Sequence, residues 1–101
     1  MKLMTSNEKI YQTGKLYQKM EEEQSRYRNW LLGMAPEEVL CHAYEYTIKQ
    51  DILFAMEYTE LSSEQVDKLL TSETPLDDVY REYNRYGNDY MEMIGIAIQN
   101  T

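Results

Sequence analysis

Cys41 and His42 stand side by side, residue types that elsewhere make a thiolate nucleophile and its base. Neighbours on a helix point about 100° apart, so these two side chains do not face each other. The expected arrangement is a buried small cysteine beside a solvated histidine, with no thiol chemistry. Glu38, His42 and Glu45 do share a helix face through i+4 and i+3 steps, and carboxylate with imidazole can hold a transition metal. Three ligands on one helix do not close a site, however. Val39 also stands three residues before His42, where di-iron bundles carry glutamate. A solvated acidic face is the expected reading, with no metal and no cofactor. The four glycines are isolated, so there is no phosphate-cradling loop. No nucleophile–base set is present, and the expectation is a protein that is not an enzyme.

What the chain has in quantity is carboxylate and phenol. Eighteen acidic residues outnumber ten basic ones, for a net charge of −8, and ten of the residues are tyrosine. Residues 1–28 carry six basic and four acidic side chains, whereas residues 29–80 carry eleven acidic and two basic. Such a middle segment repels phosphate backbones and attracts basic surfaces, so direct nucleic-acid binding is not expected. Some acids have a basic residue one helical turn away: Glu22–Arg26, Glu45–Lys49, Glu64–Lys68, Asp77–Arg81 and Arg85–Asp89 all stand at i, i+4. Glu37, Glu38, Asp51, Glu57, Glu60, Asp67, Glu73 and Asp78 have none. Tyrosine and acid interleave in Tyr44-Glu45-Tyr46 and in Glu57-Tyr58-Thr59-Glu60. Carboxylates pair bidentately with guanidinium groups and rings stack on them, so this pattern suits an arginine-rich protein surface. The candidate protein-binding pool is therefore Glu37, Glu38, Glu45, Tyr46, Asp51, Glu57, Tyr58, Glu60, Glu64, Asp67, Glu73, Asp77 and Asp78.

Helices must position these groups, because no strand-like alternation is found. Thr5-Ser6-Asn7-Glu8 reads as a capping box, and Ile10, Tyr17, Met20, Gln24, Tyr27 and Leu31 follow on one helical face. Gly33 is placed to close that helix in a left-handed cap, and Pro36 to open the next, with Glu37 and Glu38 in its first turn. The second helix carries two stripes. Leu40, Ala43, Tyr44, Thr47, Asp51, Phe54 and Tyr58 form one, and Ile48, Ile52, Ala55 and Met56 the other. Either one helix over about 36–59 is covered on two sides, or the chain breaks near Thr47. No Gly or Pro marks a break, so one continuous helix is preferred, and Asp51 within the stripe then needs a partner. Ser62 with Gln65 is a further capping box, opening a short helix over 63–71. Thr74-Pro75 opens a last one to about 99, with Leu76, Val79, Tyr80, Tyr83, Tyr86, Tyr90, Ile94 and Ala97 on one face. Gly87 falls within that face, where it would permit close helix approach. Tyr17, Tyr27, Tyr44, Tyr80, Tyr83 and Tyr90 fall on core-facing stripes.

With 101 residues and 43% hydrophobic content, the chain has material for one domain over 1–101 and one core. The expected fold class is all-α, a compact bundle of about four helices (about 6–32, 36–59, 63–71 and 75–99) with a long central one. No run approaches the length of a membrane span. The absence of a secretory signal, with a single cysteine, points to the cytoplasm.

The run W-L-L at 30–32, P-E-E-V-L at 36–40, A-Y-E-Y at 43–46, Q-D-I-L at 50–53, L-L at 69–70, T-P-L-D-D-V-Y at 74–80 and D-Y-M at 89–91 resembles a small uncharacterised domain family. That family occurs in gut Gram-positive bacteria, often in mobile elements. The resemblance covers about three-quarters of the chain, rests on no catalytic motif and implies no activity. It implies a context in which small acidic helical proteins act as anti-restriction or anti-CRISPR inhibitors. The first expectation for function is accordingly a non-catalytic inhibitor that occludes the basic nucleic-acid groove of a CRISPR effector or related host nuclease. The alternative is a structural or adaptor module, able to self-associate, in which exposed tyrosines rather than acids hold the partner.

Overall fold

In the computed structural model, which describes residues 6–86 and 90–101, the first helix, α1, runs Ser6–Leu32. Twenty-seven residues at 1.5 Å each make a rod about 40 Å long. That rod sets the longest extent of the molecule, 47 × 28 × 20 Å, and an elongated radius of gyration of 14.2 Å. Helix α2 (Pro36–Met56) packs along α1. Helices α3 (Ser63–Thr71), α4 (Pro75–Tyr86) and α5 (Tyr90–Asn100) then close the other side. The fold is all-α.

Local chemistry accounts for most of the boundaries. Pro36 and Pro75 each stand at the first helical position, where a missing N–H costs nothing. The capping box at α3 forms in both directions: Gln65 N–H donates to Ser62 Oγ at 3.1 Å, and Ser62 N–H to Gln65 Oε1 at 2.8 Å. Gly33 closes α1 differently from expectation. Its φ is not left-handed, and the turn is made by Gly33 N–H to the Trp30 carbonyl at 3.2 Å and Met34 N–H to the Leu31 carbonyl at 3.0 Å. These tighter i→i+3 bonds satisfy the end of the helix without a positive φ. The expected Thr5 cap, the Arg85–Asp89 pair and the role given to Gly87 lie outside the described residues.

Two further expectations are corrected. Where one helix was expected over 75–99, there are two, α4 and α5, packed against each other. In a straight helix Ile94 would lie about 27 Å from Leu76. Instead Leu76, Val79, Ile94 and Ile98 are all buried in a single cluster with Leu16, Met20, Ile52, Val66 and Leu69. The stripe is the same, but only a chain reversal brings both halves to one core. The second correction concerns α2, which is continuous through Thr47 and ends at Met56 but is not covered on both sides. Ile48, Ile52, Ala55 and Met56 are buried, whereas Leu40, Ala43, Tyr44, Thr47 and Phe54 are exposed, as is Tyr58 just beyond the helix. Ile10 and Tyr44, also expected to face the core, are exposed.

A candidate protein-binding face on α1 and α2

Helix α2 presents an apolar stripe to solvent at helical spacing. Leu40 is 74% exposed, Tyr44 54%, Phe54 55% and Tyr58 73%, and the last two rings pack on each other at 5.2 Å between centroids. Large apolar side chains exposed in register along one helix are unlike the scattered ones of an ordinary surface. Beside this stripe runs a groove between α1 and α2. One segment of it, about 370 Å³, is lined by Tyr17, Glu21, Gln24, Ser25, Arg28, Tyr46, Gln50, Leu53, Phe54 and Glu57. A second segment of about 270 Å³ is lined by Arg28, Leu31, Leu32, Val39, Ala43, Tyr46 and Thr47. Ala43, Thr47 and Phe54 belong to both stripe and groove, so the two make one surface.

The floor of the groove is fastened by a buried amide. Gln24 Nε2 donates to the Tyr46 carbonyl at 3.2 Å and to Gln50 Oε1 at 3.0 Å, while no donor among the described residues meets its own buried Oε1. At one end, burial and then the neighbouring carboxylates of Glu21 and Glu57 hold the Tyr17 phenol above its usual range. Glu21 and Glu57 both line this end of the groove.

Behind the face lies an ionic centre in which the expected Glu45–Lys49 and Asp77–Arg81 pairs both form and are joined by a contact between helices that local spacing does not show. Lys49 is only 5% exposed, yet its Nζ meets Glu45 Oε2 at 2.7 Å and Asp77 Oδ1 at 3.4 Å. It also stands 4.2 Å from the Tyr27 ring centroid and 5.5 Å from that of Tyr80. Carboxylates and ring faces together replace the water that the ammonium lost on burial. Burial, and then the adjacent Glu45 carboxylate, hold the Tyr27 phenol well above its usual range. Arg81 extends the network through its Nε, 3.1 Å from Asp77, and its Nη2, 3.0 Å from Asp78. Asp78, expected to lack a helical partner, therefore has one at i+3. Nearby, the buried Glu23 carboxylate accepts from Leu76 N–H at 2.8 Å and Asp77 N–H at 2.9 Å, satisfying the start of α4 from 53 residues away. Burial outweighs those bonds, and the Glu23 carboxyl is raised above its ordinary range.

The candidate pool divides accordingly. Glu45, Asp77 and Asp78 are half-buried and neutralised by Lys49 and Arg81. Asp51 is also half-buried, and burial lifts its carboxyl. Tyr46 is half-buried and stacks on Tyr27 at 6.4 Å, whereas Tyr58 is open. Glu37, Glu38, Glu57, Glu60, Glu64, Asp67 and Glu73 are exposed, and Glu60 lies 3.9 Å from Lys9. Glu37 and Glu57 are separated by twenty residues of α2, roughly 30 Å along the axis, so these acids do not form one patch.

Cys41 and His42 are the reverse of expectation. Cys41 is exposed, while His42 is half-buried and packs edge-on against Trp30 at 5.1 Å and Tyr27 at 6.3 Å. Aromatic rings of α1 cover the imidazole and leave the smaller thiol outside. Lys49 and Glu23 had weaker signals. Lys49 stands at i, i+3, i+4 and i+7 from Ile52, Leu53 and Met56, and so on a buried face. Glu23 stands three residues after Met20 and four before Tyr27, on the core-facing stripe, which sets it apart from Glu21 and Glu22.

A family model described as protein of unknown function (DUF3848) matches residues 12–101, and the chain belongs to that family. No curated protein and no solved structure matches the chain. Among the described residues, no helix is long and apolar enough to cross a membrane.

Proposed function

We propose that this DUF3848 protein is a non-catalytic protein-binding module whose α1–α2 face holds a partner that is basic and partly apolar. The exposed stripe of Leu40, Tyr44, Phe54 and Tyr58 carries the reading. Tyr44 also hydrogen-bonds with Tyr83 of α4, but Leu40, Phe54 and Tyr58 keep more than half their apolar surface in water, and covering it with a partner removes it from water. The charge around it indicates the kind of partner. Glu37, Asp51 and Glu57 border the stripe, and the one basic residue of α2, Lys49, is buried and paired. Two copies placed α2 to α2 would set these acids against each other, which favours a foreign basic surface over self-association through α2.

The test compares affinity capture by the native chain and by a Tyr44→Ala/Phe54→Ala/Tyr58→Ala variant at low and moderate salt. A protein retained by the native chain, lost by the variant and weakened by salt is the expected result. Equal retention by both would move binding to another surface. A native dimer that the variant turns into a monomer, seen by light scattering, would replace the foreign partner with a second copy.

A second reading gives such a module a use: occluding the nucleic-acid groove of an effector nuclease. The seven exposed acids from Glu37 to Glu73 support it, since carboxylates compete with phosphates for lysine and arginine. It also agrees with the mobile-element setting implied by the family resemblance. Cleavage assays with guide-loaded CRISPR nucleases and restriction enzymes test it. Inhibition abolished by reversing Glu57 and Glu60 would support mimicry, and inhibition indifferent to both would end it.

A further inference from the structure

The groove between α1 and α2 differs from end to end. At the Val39 end, the wall is Leu31, Leu32, Val39 and Ala43. At the Glu57 end it is Tyr17, Glu21 and Glu57, a phenol between two carboxylates. Exposed Arg28 lies at the waist with Tyr46, common to both segments. From Val39 to Glu57 the groove follows eighteen residues of α2, about 27 Å, or five helical turns.

We infer that this groove takes one amphipathic helix of a partner protein in a fixed orientation, with apolar side chains at the Val39–Ala43 end and lysine or arginine at the Glu21–Glu57 end. The inference rests on the protein-binding reading and narrows its partner. No strand edge is offered among the described residues, so an extended peptide would leave its backbone N–H and C=O groups unpaired against apolar walls. A helix arrives with those groups already bonded and can lay one ridge between two antiparallel helices. Charge sets the direction. A basic side chain at the acidic end meets Glu21 and Glu57. Reversed, the same helix would bury its cations against Leu31 and Val39 and leave its leucines over carboxylates. A second copy does not supply this ligand through α2, because the exposed side of α2 carries acids and no base.

The test is a display library of 18-residue amphipathic helices panned against the full chain, followed by affinity measurement on three variants. Enriched helices are expected to segregate apolar residues to one end and Lys or Arg to the other, in a single order. Their affinity should fall about tenfold or more on Glu21→Lys/Glu57→Lys and on Ala43→Arg. These positions are exposed, and an unchanged urea midpoint checks that each variant folds. No enriched helix, or enriched helices without end-to-end segregation, would overturn the inference. Binders lost only on a Leu40→Ser/Tyr58→Ser variant, which changes no residue of the groove wall, would overturn the groove assignment while leaving the protein-binding reading intact. Binders indifferent to all of these would overturn both.

Discussion

The two faces of α2 are built from the same kind of residue at the same spacing, yet one is core and the other is open to water. On the inner face, Ile48, Ile52, Ala55 and Met56 meet α1, α4 and α5, and the charge that falls among them, Lys49, has two carboxylates and two rings around it. On the outer face, Leu40, Tyr44, Phe54 and Tyr58 keep more than half their surface. Periodicity shows that a face is apolar but does not say what covers it.

Substitutions should separate the faces sharply. Ile52→Ala, which leaves a cavity at a position with no exposure, is expected to cost about 2–5 kcal/mol in urea unfolding. Lys49→Ala leaves Glu45 without its cation and Asp77 with Arg81 alone. Both carboxylates still reach water, so the loss should fall at the lower end of the range for a broken buried pair, about 3 kcal/mol. If Lys49→Ala proves as stable as the native chain, the ionic centre is not a structural element.

Glu23→Ala removes the acceptor for two buried N–H groups at the start of α4 and should cost about 1–3 kcal/mol. Glu23→Gln keeps an acceptor oxygen without a charge and should cost less. The same pair gives a pH test. The Glu23 carboxyl is raised in the folded protein, so in the window above the usual carboxylate range, about 4, the native state holds the proton that the unfolded chain has released. Stability from this group is present at acid pH and is lost as pH rises through its folded pKa. The native chain should therefore lose stability relative to Glu23→Gln as pH increases across that window. A difference that is flat or of opposite slope would show that the two N–H bonds outweigh burial.

The smallest effects belong to the outer face. Leu40→Ser or Tyr58→Ser should change stability by no more than about 0.5 kcal/mol, since each residue keeps nearly three-quarters of its surface in water. A large loss at either would mean that the stripe is part of the fold and would remove the main support for a binding face.

Much of the fold is legible in short-range chemistry. Pro36, Pro75 and the Ser62–Gln65 box mark helix starts because they act within three or four residues, on bonds the helix end itself lacks. The separation of α4 from α5 was hidden because both halves carry the same stripe, and a stripe has the same period on one long helix as on two shorter ones. Cys41 and His42 were misplaced for a related reason: which of two neighbours is covered depends on Trp30 and Tyr27 of another helix.

Composition and spacing alone determined that the chain is helical and acidic, with helices opening at Pro36, Ser63 and Pro75. These properties follow from backbone geometry, side-chain charge and bonds between near neighbours. The tertiary structure decided which stripe of α2 is core, which carboxylates are neutralised and where a groove remains. It also decided that a glutamate of α1 holds the start of α4. Each of these depends on groups brought together across tens of residues, where packing chooses among several faces that the local pattern leaves equal.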